Sequence, residues 1–257
     1  MLYLCIPAYN EAPTVGLLLW RIRKVFQNYP REYEILVFDD GSADGTGEIL
    51  QGYTEVLPLT TLGSKTHVGY ARALDALSRE VSRRTRYPRR DAMITMQADF
   101  TDQPEHLPEL IKRFEGGADL VIGERPQQPE RTVPPKAVRW MRRMAPWMLR
   151  PFVSFPGVGD PFGSFRLYRI TLLRDLVRHA GEEPIVQGTV WAANVDLLLR
   201  TAPLARRIET VALEPRYDLR PRESRIHPWT DALDLFRFGR TNRGRTITAR
   251  PAPESRR

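Results

Sequence analysis

The sequence predicts an α/β protein: a mostly parallel sheet with helices on both faces, continued by an amphipathic C-terminal extension. Three observations predict it. Short apolar runs recur at residues 2–6, 34–38, 93–96 and 119–123, and such runs read as strands buried on both faces. Most are followed by a polar, turn-rich loop and then by apolar residues at helical spacing. The runs recur every ~30 to 40 residues, the length of a strand–helix unit with a right-handed crossover. The loops differ in sequence, so the pattern is not a solenoid.

Taken in order, residues 2–6 form a first strand ended by Pro7, with a polar loop over 8–11. A helix starting at Pro13 or Thr14 follows, its apolar side carrying Val15, Leu18, Leu19, Ile22 and Val25. Residues 34–38 form a second strand that runs into Asp39, Asp40, Gly41, Ser42, Ala43, Asp44 and Gly45, with Thr46 a candidate helix cap. A weak third strand is expected at 56–59 and a helix over 69–77. The strand at 93–96 precedes a helix over 104–114, and 119–123 is another buried strand. Residues 126–135 are polar and proline-rich and read as a mobile loop. A helix over 136–150 follows, which Pro146 should kink or restart. The remainder reads as a strand over 162–168, helices over 171–178 and 192–200, and a last strand over 207–213. From about Asn242 the chain is rich in Arg, Pro and Ser, and is expected to be disordered.

Composition narrows the class. At 257 residues the chain can bury one large core, and its 42% hydrophobic and 27% charged content fits a globular protein. The net charge of +8 comes almost wholly from arginine, a side chain suited to bidentate phosphate binding. The single cysteine, Cys5, excludes an internal disulfide. No apolar run approaches the ~20 residues that span a bilayer, and the N-terminus lacks the basic start of a signal peptide. A cytoplasmic protein, peripheral on the inner face of a membrane at most, is the expectation. Scattered histidines without metal-ligand spacing argue against zinc. No P-loop and no dinucleotide-binding glycine motif is present.

The stretch from Met93 to Glu105 organises the rest. Its strand turns polar within two residues and delivers Asp99 and Asp102 to the sheet edge where open α/β folds build ligand sites. These carboxylates could hold a divalent cation or a polar ligand; Asp102 has the alternative of capping the helix at Pro104. Asp39 and Asp40 end a neighbouring strand and could accept hydrogen bonds from a base or ribose, with Gly41 turning the chain away. Together with residues 7–11, the three strand ends form one crevice.

The motifs Ile6-Pro7-Ala8-Tyr9-Asn10-Glu11, Val37-Phe38-Asp39-Asp40-Gly41-Ser42 and Gln97-Ala98-Asp99, in this order, resemble family 2 glycosyltransferases of the GT-A fold. Asp160-Pro161-Phe162-Gly163-Ser164-Phe165-Arg166-Leu167-Tyr168 and the stretch from Tyr217 to Arg225 are similar to the dolichol-phosphate mannose synthase-like branch. The resemblance covers roughly residues 2–240, taken as a glycosyltransferase domain (1–215) and an acceptor-side amphipathic segment (216–241), with the compositionally distinct basic tail (242–257) beyond it. It implies a GDP- or UDP-linked sugar lying across Pro7, Ala8, Tyr9, Glu11, Asp39, Asp40, Gln97, Ala98 and Asp99. Mg²⁺ or Mn²⁺ would bridge Asp99 and the diphosphate, with Gln97 in the place of the family's usual first aspartate. A glutamine oxygen ligates without charge, so the resemblance implies a weak metal site. His67 and Glu223 are further departures, standing where the family often has Asn and Gly.

The resemblance further implies a polyprenyl phosphate acceptor gripped by Arg166, Arg220, Arg222, Ser224 and Arg225, with Asp160 as the base should the acceptor be a hydroxyl. Alternatives are the same fold acting on a soluble hydroxyl compound, or a catalytically silent nucleotide or nucleic-acid binder. Against nucleic acid, the arginines are not interleaved with aromatics along one stretch. Trp140, Met141, Met144, Trp147 and Met148, and separately Trp229, Leu233, Phe236 and Phe238, form aromatic stripes flanked by arginine. They suit either an interfacial helix or an ordinary core face.

Overall fold

The computed structural model describes residues 1–124, 134–214, 216 and 228–246. Seven strands form one sheet: β1 (Leu2–Ala8), β2 (Tyr33–Asp40), β3 (Leu59–Ser64), β4 (Ala92–Thr95), β5 (Leu120–Glu124), β6 (Arg166–Arg169) and β7 (Ile208–Ala212). Their spatial order is β3-β2-β1-β4-β6-β5-β7. Only β6 runs against its neighbours β4 and β5; every other pairing is parallel. Strand order reverses at β1, between β2 and β4, which is where open α/β sheets leave a crevice at their C-terminal ends.

Alternation along β1 explains why the sheet is covered on both sides. Leu2, Leu4, Ile6 and Ala8 pack into a core with Val15, Leu18, Leu19 and Ile22 of α1 (Ala12–Asn28) and with α4 (Leu107–Glu115). Tyr3 and Cys5 point the other way, toward α3 (Tyr70–Arg84), α6 (Ile170–Ala180) and α7 (Val190–Thr201). Apolar area removed from water on both faces, at about 25 cal/mol per Å², is what holds a parallel sheet together.

Several boundaries differ from the sequence reading. β1 continues through Pro7, because β4 ends at Thr95 opposite Cys5 and leaves that part of β1 with a partner on one side only, where proline is tolerated. The third strand lies at 59–64, since Val56 and Leu57 are spent closing α2 (Thr46–Tyr53) onto Tyr53 O. The strand expected at 162–168 is short and antiparallel, because residues 160–165 leave the sheet to form part of the site. The helix α5 (Lys136–Leu149) runs through Pro146 without restarting; Ala145 and Leu149 are fully buried and Arg150 N still donates to Pro146 O. Residues 242–246 are ordered, against the expectation of disorder from Asn242. They follow α8 (Pro228–Thr241), and Ser154 N and Gly244 N bond to Arg245 O and Phe152 O. The loop expected over 126–135, beyond its last two residues, and the tail from 247 lie outside the described residues.

Candidate active site

Three loops leave the C-terminal ends of β1, β2 and β4 and are stitched to one another. Asn10 takes a left-handed conformation (φ 47°); its amide donates to Ser42 Oγ at 2.8 Å and its Oδ1 accepts from Ala43 N at 2.8 Å. Glu11 N donates to Thr46 Oγ1 at 2.8 Å and Ala12 N to Asp44 Oδ2 at 3.0 Å. Thr46 therefore ties two loops together instead of capping α2, and its amide and hydroxyl both donate to Asp44. Burial pushes the Asp44 carboxyl upward, but hydrogen bonds from Thr46 and Ala12 outweigh it and hold the group below its usual range.

Asp39 and Asp40 divide the work of the second loop. Asp39 faces its own turn and accepts from Ser42 N at 3.1 Å. Asp40, only 3% exposed, accepts from Val68 N at 2.6 Å and Gly69 N at 2.9 Å, with His67 Nδ1 2.9 Å away. His67 in turn stacks on Tyr9, ring centroids 4.1 Å apart. Gly41 makes the approach possible: its φ is +70°, and a Cβ there would stand 2.7 Å from the Thr66 carbonyl carbon.

The third loop is braced from below and above. Arg21 donates to Gln103 Oε1, lies over the Phe100 ring, and Gln103 Nε2 donates to Phe100 O. Asp99 is buried and accepts from Thr101 N at 3.0 Å. Asp102 does not cap the turn at Pro104; its Oδ2 accepts from Gln97 N and from Ser164 Oγ, both at 2.9 Å. Enclosure of this carboxyl, with the Asp99 charge adding to it, pushes its pKa up to about 7.

A cavity of about 630 Å³ lies among these loops. Its wall includes Pro7, Ala8, Tyr9, Glu11, Asp40, Gln97, Ala98, Asp102 and Asp160 from the sequence reading, so the three strand ends do meet on one rim. Asp39 and Asp99 are not among its lining residues; Asp39 is partly exposed and Asp99 is buried. Asp160 is nearly buried and accepts from Phe162 N at 3.0 Å. The acceptor assignment of Arg166 is corrected: the side chain is fully buried, donating to Asn194 O at 2.5 Å and Pro161 O at 2.6 Å. This guanidinium, fully buried with Nη1 and Nη2 donating to backbone carbonyls, braces the Asp160 loop and is not among the residues that line the cavity where a phosphate would bind. Arg220, Arg222, Ser224 and Arg225 lie outside the described residues.

Sequence reasoning gave no role to Ser164, Tyr70 or Asn194. Tyr70 Oη donates to Asn194 Oδ1 at 2.9 Å and Asn194 Nδ2 to Phe162 O at 3.0 Å, fixing the loop that carries Asp160. The available signal was Asn194 and Asp196 interrupting an otherwise apolar helix, since buried polar groups are kept only when bonded.

The donor set suits a hard divalent cation in part. The Asp99 charge adds to the cost of ionising the enclosed Asp102, which a cation would relieve, and Gln97 adds a neutral oxygen. Among the described residues no group of three His, Cys, Asp or Glu side chains is clustered tightly enough to hold a metal. A bound diphosphate would have to complete the coordination.

Comparison with known proteins agrees with this architecture. The family model "Glycosyl transferase family 2" matches residues 3–177. An undecaprenyl-phosphate mannosyltransferase of Micrococcus luteus is 31% identical over 216 residues, covering 81% of this chain and 80% of the relative. A bactoprenol glucosyl transferase of Shigella phage SfV is 29% identical over 167 residues, which is 64% of this chain and 50% of that protein. The chain spans half the length of that second relative. Glucosyl-3-phosphoglycerate synthase from Mycobacterium tuberculosis, solved with Mn²⁺, UDP and phosphoglyceric acid, superposes with a TM-score of 0.63 at 15% identity over 99% of this chain and 80% of that one. The mannosyltransferase PcManGT from Pyrobaculum calidifontis, solved with GDP-Man and Mn²⁺, gives 0.53 at 19% identity over 82% and 54%. At such identities the superpositions establish the GT-A fold. With the family model covering most of the chain and the strand-end loops meeting on one cavity, the protein belongs to glycosyl transferase family 2.

Proposed function

We propose that the chain transfers a sugar from a GDP- or UDP-linked donor to a polyprenyl phosphate, with inversion at the anomeric carbon. The observation that carries this reading is the cavity wall, where Asp40, Gln97 and Asp102 stand at the strand ends and Asp160 stands on the loop that precedes β6. Relatives named for undecaprenyl phosphate and bactoprenol support a lipid phosphate acceptor.

An acceptor phosphate oxygen is already ionised at neutral pH. It attacks the anomeric carbon from the face opposite the diphosphate; the new carbon–oxygen bond forms as the old one breaks, and its electron pair leaves with the nucleoside diphosphate. Residues 7–11 and Asp40 hold the nucleoside, and Asp160 orients the sugar. Mg²⁺ or Mn²⁺, held by Asp99 and Gln97, would neutralise charge growing on the diphosphate. A hydroxyl acceptor would instead need Asp160 to take its proton. Among the described residues no helix is long and apolar enough to cross a membrane, so a peripheral position on a membrane face is part of this proposal.

The test is transfer from GDP-mannose, UDP-glucose and related donors to undecaprenyl phosphate, read as lipid-extractable label with and without Mn²⁺. In parallel, GDP or UDP at about 100 times its dissociation constant should stabilise the fold by ~2.7 kcal/mol, and Asp99→Ala should abolish the Mn²⁺-dependent part. Transfer only to water-soluble hydroxyl compounds would overturn the acceptor; no transfer and no nucleotide binding would overturn the reading entirely.

A further inference from the structure

We propose that the paired helices α5 and α8 form a docking surface for an anionic lipid bilayer, placed so that the cavity wall they build lies beside the membrane. The inference rests on the lipid acceptor proposed above. The two helices lie side by side and run the same way. The Trp140 and Trp229 rings meet at 5.3 Å near their N-termini, and Gly239 packs close to Leu149 and Phe152 near their C-termini.

The core face of α5 is Val138, Met141, Ala145 and Leu149, all nearly or fully buried. Its aromatic stripe is elsewhere. Trp140, Met144 and Trp147 follow one another at i, i+4 and i+7, as do Trp229, Leu233 and Phe236 on α8. Trp229 and Trp147 are 79% and 71% exposed, the two most exposed large hydrophobic side chains among the described residues; Leu233 and Phe236 are 49% and 40% exposed. A core stripe would not be left so open, and this settles in favour of the surface the choice that spacing alone left even.

Charge identifies the occupant. Residues 136–150 contain five basic and no acidic side chains, and Lys136, Arg139, Arg143 and Arg150 are all exposed. Arg237, Arg240, Arg243 and Arg245 flank the α8 stripe, also exposed. Exposed tryptophans framed by arginines match a helix lying in the headgroup region of an anionic membrane, where indole rings sit at the interface and basic side chains meet lipid phosphates. Val138 and Arg142 of α5 and Asp231 of α8 also line the cavity. A lipid phosphate could therefore reach the sugar without its tail leaving the bilayer.

The experiment uses the full chain with phosphatidylcholine vesicles containing or lacking phosphatidylglycerol, and no polyprenyl phosphate. The wild type should co-sediment with the anionic vesicles and be released by salt. The triple variant Trp147→Ser, Trp229→Ser, Phe236→Ser and the charge variant Arg139→Glu, Arg143→Glu should each bind at least about tenfold more weakly, with unchanged melting temperature and nucleotide-induced thermal shift. Their activity should fall on vesicle-embedded undecaprenyl phosphate and persist on a short-chain, water-soluble prenyl phosphate. Vesicle binding by both variants at wild-type strength, or none by the wild type, would overturn the proposal. So would a wild-type dimer that the triple variant dissociates, since the face would then meet a second copy. Vesicle binding that behaves as expected with no lipid-linked product would leave docking standing and sink the acceptor instead.

Discussion

Arg166 offers the sharpest test, because its bracing role and a phosphate-gripping role predict different failures. Replacement by methionine keeps most of the volume and leaves Asn194 O and Pro161 O without their donors inside the core. Each orphaned buried carbonyl costs about 1–3 kcal/mol, partly offset because the guanidinium no longer has to be held away from water. A net loss of about 3 kcal/mol follows, and in a chain of this size each kcal/mol moves the melting temperature by roughly 2–4 °C. Arg166→Met should thus melt on the order of 10 °C lower by scanning fluorimetry. The Asp160 loop loses its brace too, so kcat should fall for every acceptor alike. A variant that melts within about 2 °C of the wild type and shows only a raised KM for acceptor phosphate would refute the bracing assignment and restore the sequence-based one.

Three further outcomes are expected. Gly41→Ala places a Cβ against Thr66 at a positive φ, which should cost about 1–3 kcal/mol and weaken nucleotide binding measured by calorimetry, because the Asp40-held turn at 67–69 must shift. Asp102→Asn should change the pH dependence of stability of the nucleotide-free protein. The folded carboxyl keeps its proton to about pH 7 while the unfolded one ionises near 4, so wild-type stability should decline between those values as pH rises. The asparagine variant should lack that slope and should also lose Mn²⁺-dependent nucleotide binding; parallel pH profiles would count against the assignment. Glu80, held near a pKa of about 2 chiefly by hydrogen bonding to Arg83 with burial opposing it, gives the opposite sign. Its stabilising effect is present above about pH 4.5 and lost as pH falls toward 2, so the melting difference between wild type and Glu80→Gln should close over that acid range.

The strands at the rim were legible because their side chains obey a local rule. A strand buried on both faces must be apolar throughout, and a strand end at a ligand crevice must turn polar abruptly, as Thr95 to Asp99 does. The antiparallel β6 was read too long because its first residues are as apolar as a strand, yet they leave the sheet to carry Asp160. Pro146 suggested a break that packing on both sides of it overrode.

By itself the chain determined the α/β class, the first three crevice loops and the family, since each depends on residues a few positions apart. Only the folded molecule decided which carboxylates line the cavity and which do not, that Asp102 ties Gln97 to Ser164, and that Arg166 is spent on Pro161 and Asn194. Those choices join residues as many as 62 positions apart. Whether a charged side chain meets solvent, a ligand or a buried carbonyl depends on what the rest of the chain brings against it, which no local pattern encodes.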